Sequence, residues 1–175
     1  MSDGRSLPAS KSAAPTRAGR AQLPLLDRLV DAEPSEQSDR PLSAAGAMDT
    51  LRASICRDLE ELLNTRRRWR SWDPNLTELE RSLVGYGLPD FASGAFNDPR
   101  RREELRLLIE ACIGRFEPRI AGLRVTLLEA ADRVSGTLRL RIDALLRAEP
   151  APEPIAFDTV VDLLTKNVTI LEKET

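Results

Sequence analysis

The spacing of apolar residues changes once along this chain, at Pro118. Before that position apolar residues recur every three or four residues, which predicts helices. After it they alternate with polar residues, which predicts half-buried strands. Helices followed by a run of hairpin-linked strands are typical of an α+β domain. We therefore expect N-terminal helices packed on a C-terminal antiparallel sheet of about four strands.

Two long helices are predicted before this change. The first begins near Met48, with Asp49 as a possible cap. The second begins at Asp98, with Pro99 in its first turn, and ends at the proline where the spacing changes, because proline has no amide hydrogen to donate. The apolar faces comprise Met48, Leu51, Ile55, Leu59 and Leu62 in the first helix and Leu105, Leu108, Ile109, Cys112, Ile113 and Phe116 in the second.

Four strands are predicted after the second helix. The first two alternate around Val125 and Leu140 and are joined through a turn at Ser135–Gly136. The third covers residues 155–163 and the fourth 168–171. At least one of the last two is expected at an edge of the sheet. There its backbone groups could pair with another chain, unless the helices of the domain cover them.

The region before the first long helix divides in two. Residues 1–22 form a basic tail that is expected to be disordered, and residues 23–46 form a short docking segment and linker, followed by the α+β domain over 47–175. Residues 23–30 are an apolar island with helical spacing. One or two turns of helix are not stable alone in water, so the island must dock either on its own domain or on a partner, and the spacing leaves both open. Its aliphatic residues are Leu25, Leu26, Leu29 and Val30.

The composition argues against several classes of function. Histidine is absent, which removes the most common general base and metal ligand. The two cysteines are too few for a disulfide framework and are expected to be reduced thiols in a cytoplasmic protein. A formal net charge of -2 gives no overall attraction to nucleic acid or anionic lipid, and no apolar run is long enough to insert into a membrane. We predict no metal and no cofactor.

Glycoside hydrolysis is the enzyme activity that the sequence makes worth considering. It requires two carboxylates beside a sugar, one of them protonated. Nearby arginines should keep the candidate carboxylates ionised, and a serine or cysteine nucleophile would have no histidine to activate it. We therefore predict no catalytic residue. The carboxylates are Asp58, Glu60, Glu61 and Glu117, and the arginines are Arg57, Arg66 and Arg119.

A basic and aromatic run over residues 66–72 has two interpretations. Its arginines and its tryptophans, Trp69 and Trp72, could stack on the bases of a single-stranded nucleic acid. The same residues suit the C terminus of a helix, where cations interact favourably with the helix dipole and tryptophans cover the edge of the core. The second interpretation needs no ligand, so nucleic acid is not expected as a partner.

Five segments, in order along the chain, carry a family resemblance: Leu25–Leu29, Asp58–Arg66, Tyr86–Asp90, Arg115–Arg119 and Pro154–Asp158. Together they resemble the TssE family, the small baseplate proteins of type VI secretion systems. That family lies within the wider phage-tail wedge family, whose label includes "lysozyme". The resemblance covers roughly residues 23–175, whereas the basic tail and the run 69–72 match no part of the family pattern.

The resemblance implies a cytoplasmic structural protein that binds other baseplate wedge subunits and starts assembly of the contractile sheath. A Glu-Pro-Arg signature falls on Glu117, Pro118 and Arg119, for which the family implies a role at an interface between baseplate proteins. The family fold is likened to the strand-exchanging domain of the sheath, which implies recruitment of sheath subunits by strand addition. The alternative is a peptidoglycan-cleaving, lysozyme-like enzyme, which the family label suggests and the missing acid–base pair opposes.

Overall fold

The computed structural model describes residues 25–30, 43–67, 72–73, 75–91, 98–128, 136–148 and 151–172. The basic tail 1–22, most of the linker and Trp69 lie outside these ranges. No helix within them has the length and hydropathy that crossing a membrane requires. The helices are α1 (Leu25–Leu29), α2 (Ala44–Asn64), α3 (Pro99–Phe116) and two short 3-10 helices, Thr77–Arg81 and Leu83–Gly85. The strands are β1 (Ile120–Leu128), β2 (Thr137–Leu146), β3 (Glu153–Asp162) and β4 (Asn167–Glu172).

The strands form one antiparallel sheet in the order β1-β2-β3-β4. Ile142 in the middle of β2 pairs with Val125 of β1 and Phe157 of β3, and Thr159 of β3 pairs with Ile170 of β4. All five residues are buried, whereas their neighbours along each strand are partly or fully exposed. One face of the sheet is therefore covered and the other faces solvent, which confirms the predicted α+β class.

The two long helices cover the buried face of the sheet. α3 packs mainly against β1 and α2 against β4. Most residues of the predicted apolar faces are buried here, although Leu108 is 42% exposed. Burying a large aliphatic side chain contributes about 1.5–3 kcal/mol, so this layer supplies most of the folding free energy. Its fully buried centre includes Ile55, Leu59, Leu105, Ile109, Ile113, Leu140, Ile142 and Phe157.

The first long helix begins earlier than the sequence pattern predicts. α2 starts at Ala44, and Ser43 is the cap, since its hydroxyl accepts a hydrogen bond of 3.1 Å from the Gly46 amide. Asp49, the predicted cap, lies inside the helix, and the helix crosses the predicted domain boundary at residue 47. The residues before Met48 are mainly alanines, which favour helix but add little to an apolar pattern.

The other predicted boundaries are close to those observed. Asp98 caps α3 by accepting a hydrogen bond of 2.9 Å from the Arg100 amide, and Pro99 is the first helical residue. β3 and β4 each begin slightly earlier than predicted. Gly136 precedes β2 with a positive φ of 64°, as its place in the predicted turn requires.

Candidate partner-binding groove

An open groove of about 460 Å³ lies beside the C-terminal half of α2 and the end of α3. It brings together two segments that the sequence singles out separately: Leu25 of α1 and the signature Glu117–Arg119. The other three aliphatic residues of the island do not line the groove. The lining residues are Leu25, Asp58, Glu61, Leu62, Tyr86, Phe116, Glu117, Pro118 and Arg119.

Arg119 is the centre of the polar contacts in this groove. Its guanidinium donates to both carboxylate oxygens of Glu117, with Nε–Oε1 at 2.7 Å, and to Asp58 Oδ2 at 2.6 Å. Its backbone amide donates to Glu117 Oε1 at 3.1 Å. Only 6% of the Glu117 side chain is exposed. Hydrogen bonding to Glu117, and then to Asp58, raises the pKa of Arg119, so the signature forms an internal ionic cluster between α2 and the turn before β1.

α1 contacts the domain through its one acidic residue. Asp27 pairs with Arg57 of α2, with Oδ1–Nη2 at 2.9 Å. The nearby Ser54 side chain is the largest cause that lowers the pKa of Asp27, and Arg57 and Arg119 lower it further. The sequence left open whether the island docks on its own domain or on a partner. The structure shows a polar contact with the chain's own domain.

The aliphatic residues of the island are not buried by that contact. Leu25, Leu26, Leu29 and Val30 keep between 61% and 72% of their surface exposed. Four large apolar residues on so short a segment form an exposed patch next to the groove, and such patches commonly mark contacts with other proteins.

An aromatic pair forms the apolar side of the groove. The rings of Tyr86 and Phe116 lie edge to face, with centroids 5.3 Å apart and planes at 69°. Burial raises the pKa of the Tyr86 hydroxyl. The backbone next to Tyr86 lies close to the end of α2, since a side chain on Gly87 would meet the Thr65 carbonyl oxygen at 2.3 Å. Only glycine allows this approach, which sets the position of the tyrosine.

Two of the four carboxylates considered for glycoside hydrolysis are paired with the guanidinium of Arg119. Asp58 and Glu117 both accept hydrogen bonds from the same guanidinium, and Glu61 lies on the groove without being part of that cluster. A general acid must instead present a proton to its substrate. This geometry holds charged groups at fixed positions and places an apolar wall beside them.

The described part of the basic run contacts its own chain. Arg66 lies 4.9 Å above the ring of Phe91 and donates to the carbonyl oxygens of Leu63, at 3.1 Å, and Lys166. Arg67 lies 5.4 Å from the ring of Trp72. Arg66 therefore closes the C terminus of α2, as expected for a helix end, and Trp69 lies outside the described residues.

Both outer strands of the sheet have backbone groups that pair with helix side chains. On β4, the Val168 amide donates to Asn64 Oδ1 and the Val168 carbonyl accepts from Asn64 Nδ2, both at 2.8 Å. On β1, the Val125 amide donates to Glu110 Oε2 and its carbonyl accepts from Arg106 Nη1, both at 3.0 Å. β4 lies at an edge as predicted, and part of that edge is covered by α2.

Comparison with protein-family models matches residues 49–151 to the family described as baseplate wedge protein gp25. That is more than half of the chain. The chain belongs to the baseplate wedge family. Membership assigns a structural role in a phage-tail-like baseplate and contact with other baseplate components. The match includes Glu117–Arg119 and confirms the resemblance at family level, whereas the island and the segment 154–158 lie outside it.

Comparisons of this wedge protein with curated proteins and with solved structures give no significant match. Sequence reasoning missed Tyr86, which lines the groove, and also Asp27 and Ser54, which do not line it but interact with each other near Arg57 and Arg119. Asp27 carried a usable signal, because it is the one acidic residue of the island 23–30, whose other residues are apolar except for Arg28.

Proposed function

We propose that this wedge protein is a non-catalytic component of a type VI secretion system baseplate, where it links other wedge subunits to the contractile sheath and starts sheath assembly. The observation that carries the proposal is the groove in which Leu25 and Glu117–Arg119 lie together. Two segments of the resemblance to the TssE family, far apart in sequence, contribute to one surface.

The groove is proposed as the binding site for a neighbouring wedge protein. Glu117 and Asp58 are already paired with Arg119, so the charged cluster is formed before any partner arrives. The apolar wall and the exposed aliphatic residues of α1 supply area that a partner can bury. A partner that covers them gains hydrophobic stabilisation without having to neutralise an unpaired buried charge.

The charges of the groove favour a partner segment that is apolar with a basic residue at its margin. Three carboxylates, on Asp58, Glu61 and Glu117, line the groove together with one guanidinium, on Arg119. The excess of negative charge would attract an arginine or lysine and would repel an acidic segment. This is the opposite of what nucleic acid or an anionic membrane surface requires.

Sheath subunits are proposed to join at the sheet. β4 ends the sheet on one side, and an edge strand can accept an extended segment of another chain through backbone hydrogen bonds. Alternate side chains of the incoming strand would set the register. This mode of binding needs no cofactor and no catalytic group.

Co-expression with baseplate wedge and sheath subunits tests the proposal, with this chain as bait. Leu25→Ser should weaken capture of wedge subunits by about tenfold, because the one leucine of α1 that lines the groove loses its burial at the interface. Leu164→Ser is the matched control, since Leu164 is 79% exposed in the turn before β4 and is not part of the groove. Equal capture by both variants would contradict the groove as the wedge site. Absence of any baseplate partner would contradict the proposed function itself.

A further inference from the structure

Val168 and Val125 occupy equivalent positions on the two outer strands. Each has its amide and its carbonyl directed away from the neighbouring strand, and each pairs both groups with a helix side chain. In an antiparallel sheet, a residue pairs through the same two groups when another strand lies beside it. The helix side chains therefore make the contacts that an added strand would make.

Asn64 reproduces those contacts with a single side chain. Its amide group has one acceptor and one donor, and both bonds to Val168 are 2.8 Å long. It is the last residue of α2, and asparagine is a weak helix former, so helix propensity gives no reason for asparagine at this position. On β1 two side chains make the equivalent contacts: Glu110 accepts from the Val125 amide, and Arg106 donates to the Val125 carbonyl.

We propose that Asn64 on one edge, and Glu110 with Arg106 on the other, act as substitutes for a neighbouring strand and keep the sheets of two copies of this chain from pairing edge to edge. Unpaired edge groups are a template for another chain, and natural sheets protect them. All copies of this chain have the same edge strands, so every copy that is not yet assembled can meet another copy and pair with it edge to edge.

The same contacts would regulate strand addition by the sheath, a point that depends on the proposed function. A strand that pairs with β4 must displace the Asn64 side chain from Val168. A sheath strand held at high local concentration in an assembling baseplate can displace this side chain. A second copy of this chain in dilute solution must break two hydrogen bonds to form two, so its pairing gains little free energy.

The self-pairing part is tested with the purified full chain alone. Asn64→Leu removes both side-chain bonds and should tighten the self-association constant by about tenfold to a hundredfold, as expected for two net hydrogen bonds, measured by analytical ultracentrifugation. Glu60→Leu is the matched control, because it adds a leucine one turn earlier on α2 and leaves Asn64 in place. Glu110→Leu is expected to act in the same way through β1. Self-association that is unchanged in both edge variants, or equally increased in the control, would overturn the proposal.

Two further measurements keep the test decisive if Asn64→Leu does not fold. Asn64→Asp keeps the acceptor for the Val168 amide and removes the donor to its carbonyl, so it should give an intermediate increase in self-association. Hydrogen exchange of the Val168 amide in the unmodified chain should be slow, and exchange at the rate of an unprotected amide would mean that Asn64 does not close the edge. None of these results depends on the sheath. Sheath formation in cells carrying the variants tests the regulatory part separately.

Discussion

Replacement of Arg119 by alanine should destabilise the isolated chain. Glu117 is only 6% exposed, and after the change its carboxylate would keep one hydrogen bond, from the backbone amide of residue 119. Removing one partner of a fully buried ion pair costs about 3–5 kcal/mol. Because Arg119 itself is 25% exposed and Asp58 33%, water reaches the other side of the cluster, and we expect a loss of about 2–3 kcal/mol.

Urea denaturation of the full chain at neutral pH, followed by circular dichroism, measures this loss as a lower midpoint with an unchanged slope. Two variants test the reasoning. Arg119→Ala with Glu117→Gln removes the buried charge as well and should recover at least half of the loss. Arg57→Ala removes an arginine that is 47% exposed and should cost less than about 1 kcal/mol.

An Arg119→Ala loss below about 0.5 kcal/mol, or a double variant no more stable than the single one, would refute the view that Arg119 compensates a buried carboxylate. The size of the loss also decides how assembly experiments are done. Binding of wedge subunits by Arg119→Ala must be measured at a temperature where the variant is still folded, so that lost binding is not confused with unfolding.

Three other predictions follow from the geometry of the groove and its surroundings. Gly87→Ala should lower the free energy of unfolding by about 2 kcal/mol or more in the same denaturation assay, because φ is 93° there and the new methyl group would meet the Thr65 carbonyl; a neutral effect would contradict that contact. The Asp27 carboxyl should titrate below its ordinary pKa of 3.8 by NMR, and Ser54→Ala should move its midpoint upward. Because docking lowers the pKa of Asp27, the ionised carboxylate stabilises the docked α1 above pH 3.8, and this stabilisation is lost as the pH falls through the lowered pKa. A titration midpoint at or above 3.8 would contradict the docked position. Purified cell walls should lose no turbidity with this protein, and hydrolysis that disappears in a correctly folded Glu117→Gln or Glu60→Gln variant would contradict a purely structural role.

The elements of this fold follow from short-range patterns in the sequence. The stripe of Ile55 and Leu59, the alternation around Leu140, and the cap at Asp98 depend on residues within a few positions of each other. Such patterns predicted the α+β class and most helix and strand boundaries. The start of α2 was misplaced, since Ser43 is followed by alanines, which carry too little hydrophobicity to extend the stripe.

The sequence also identified two separate candidates: the aliphatic island from its helical spacing, and Glu117–Arg119 from the family resemblance. Nothing in local spacing indicated that Leu25 would lie beside Arg119, or that Arg119 would pair with Asp58 across 61 positions. Nor could it indicate that Asn64 would close the edge of β4 at Val168, 104 positions away. These contacts exist because α2 and α3 lie against one face of the sheet, and only that packing decides which distant polar groups come within hydrogen-bonding distance.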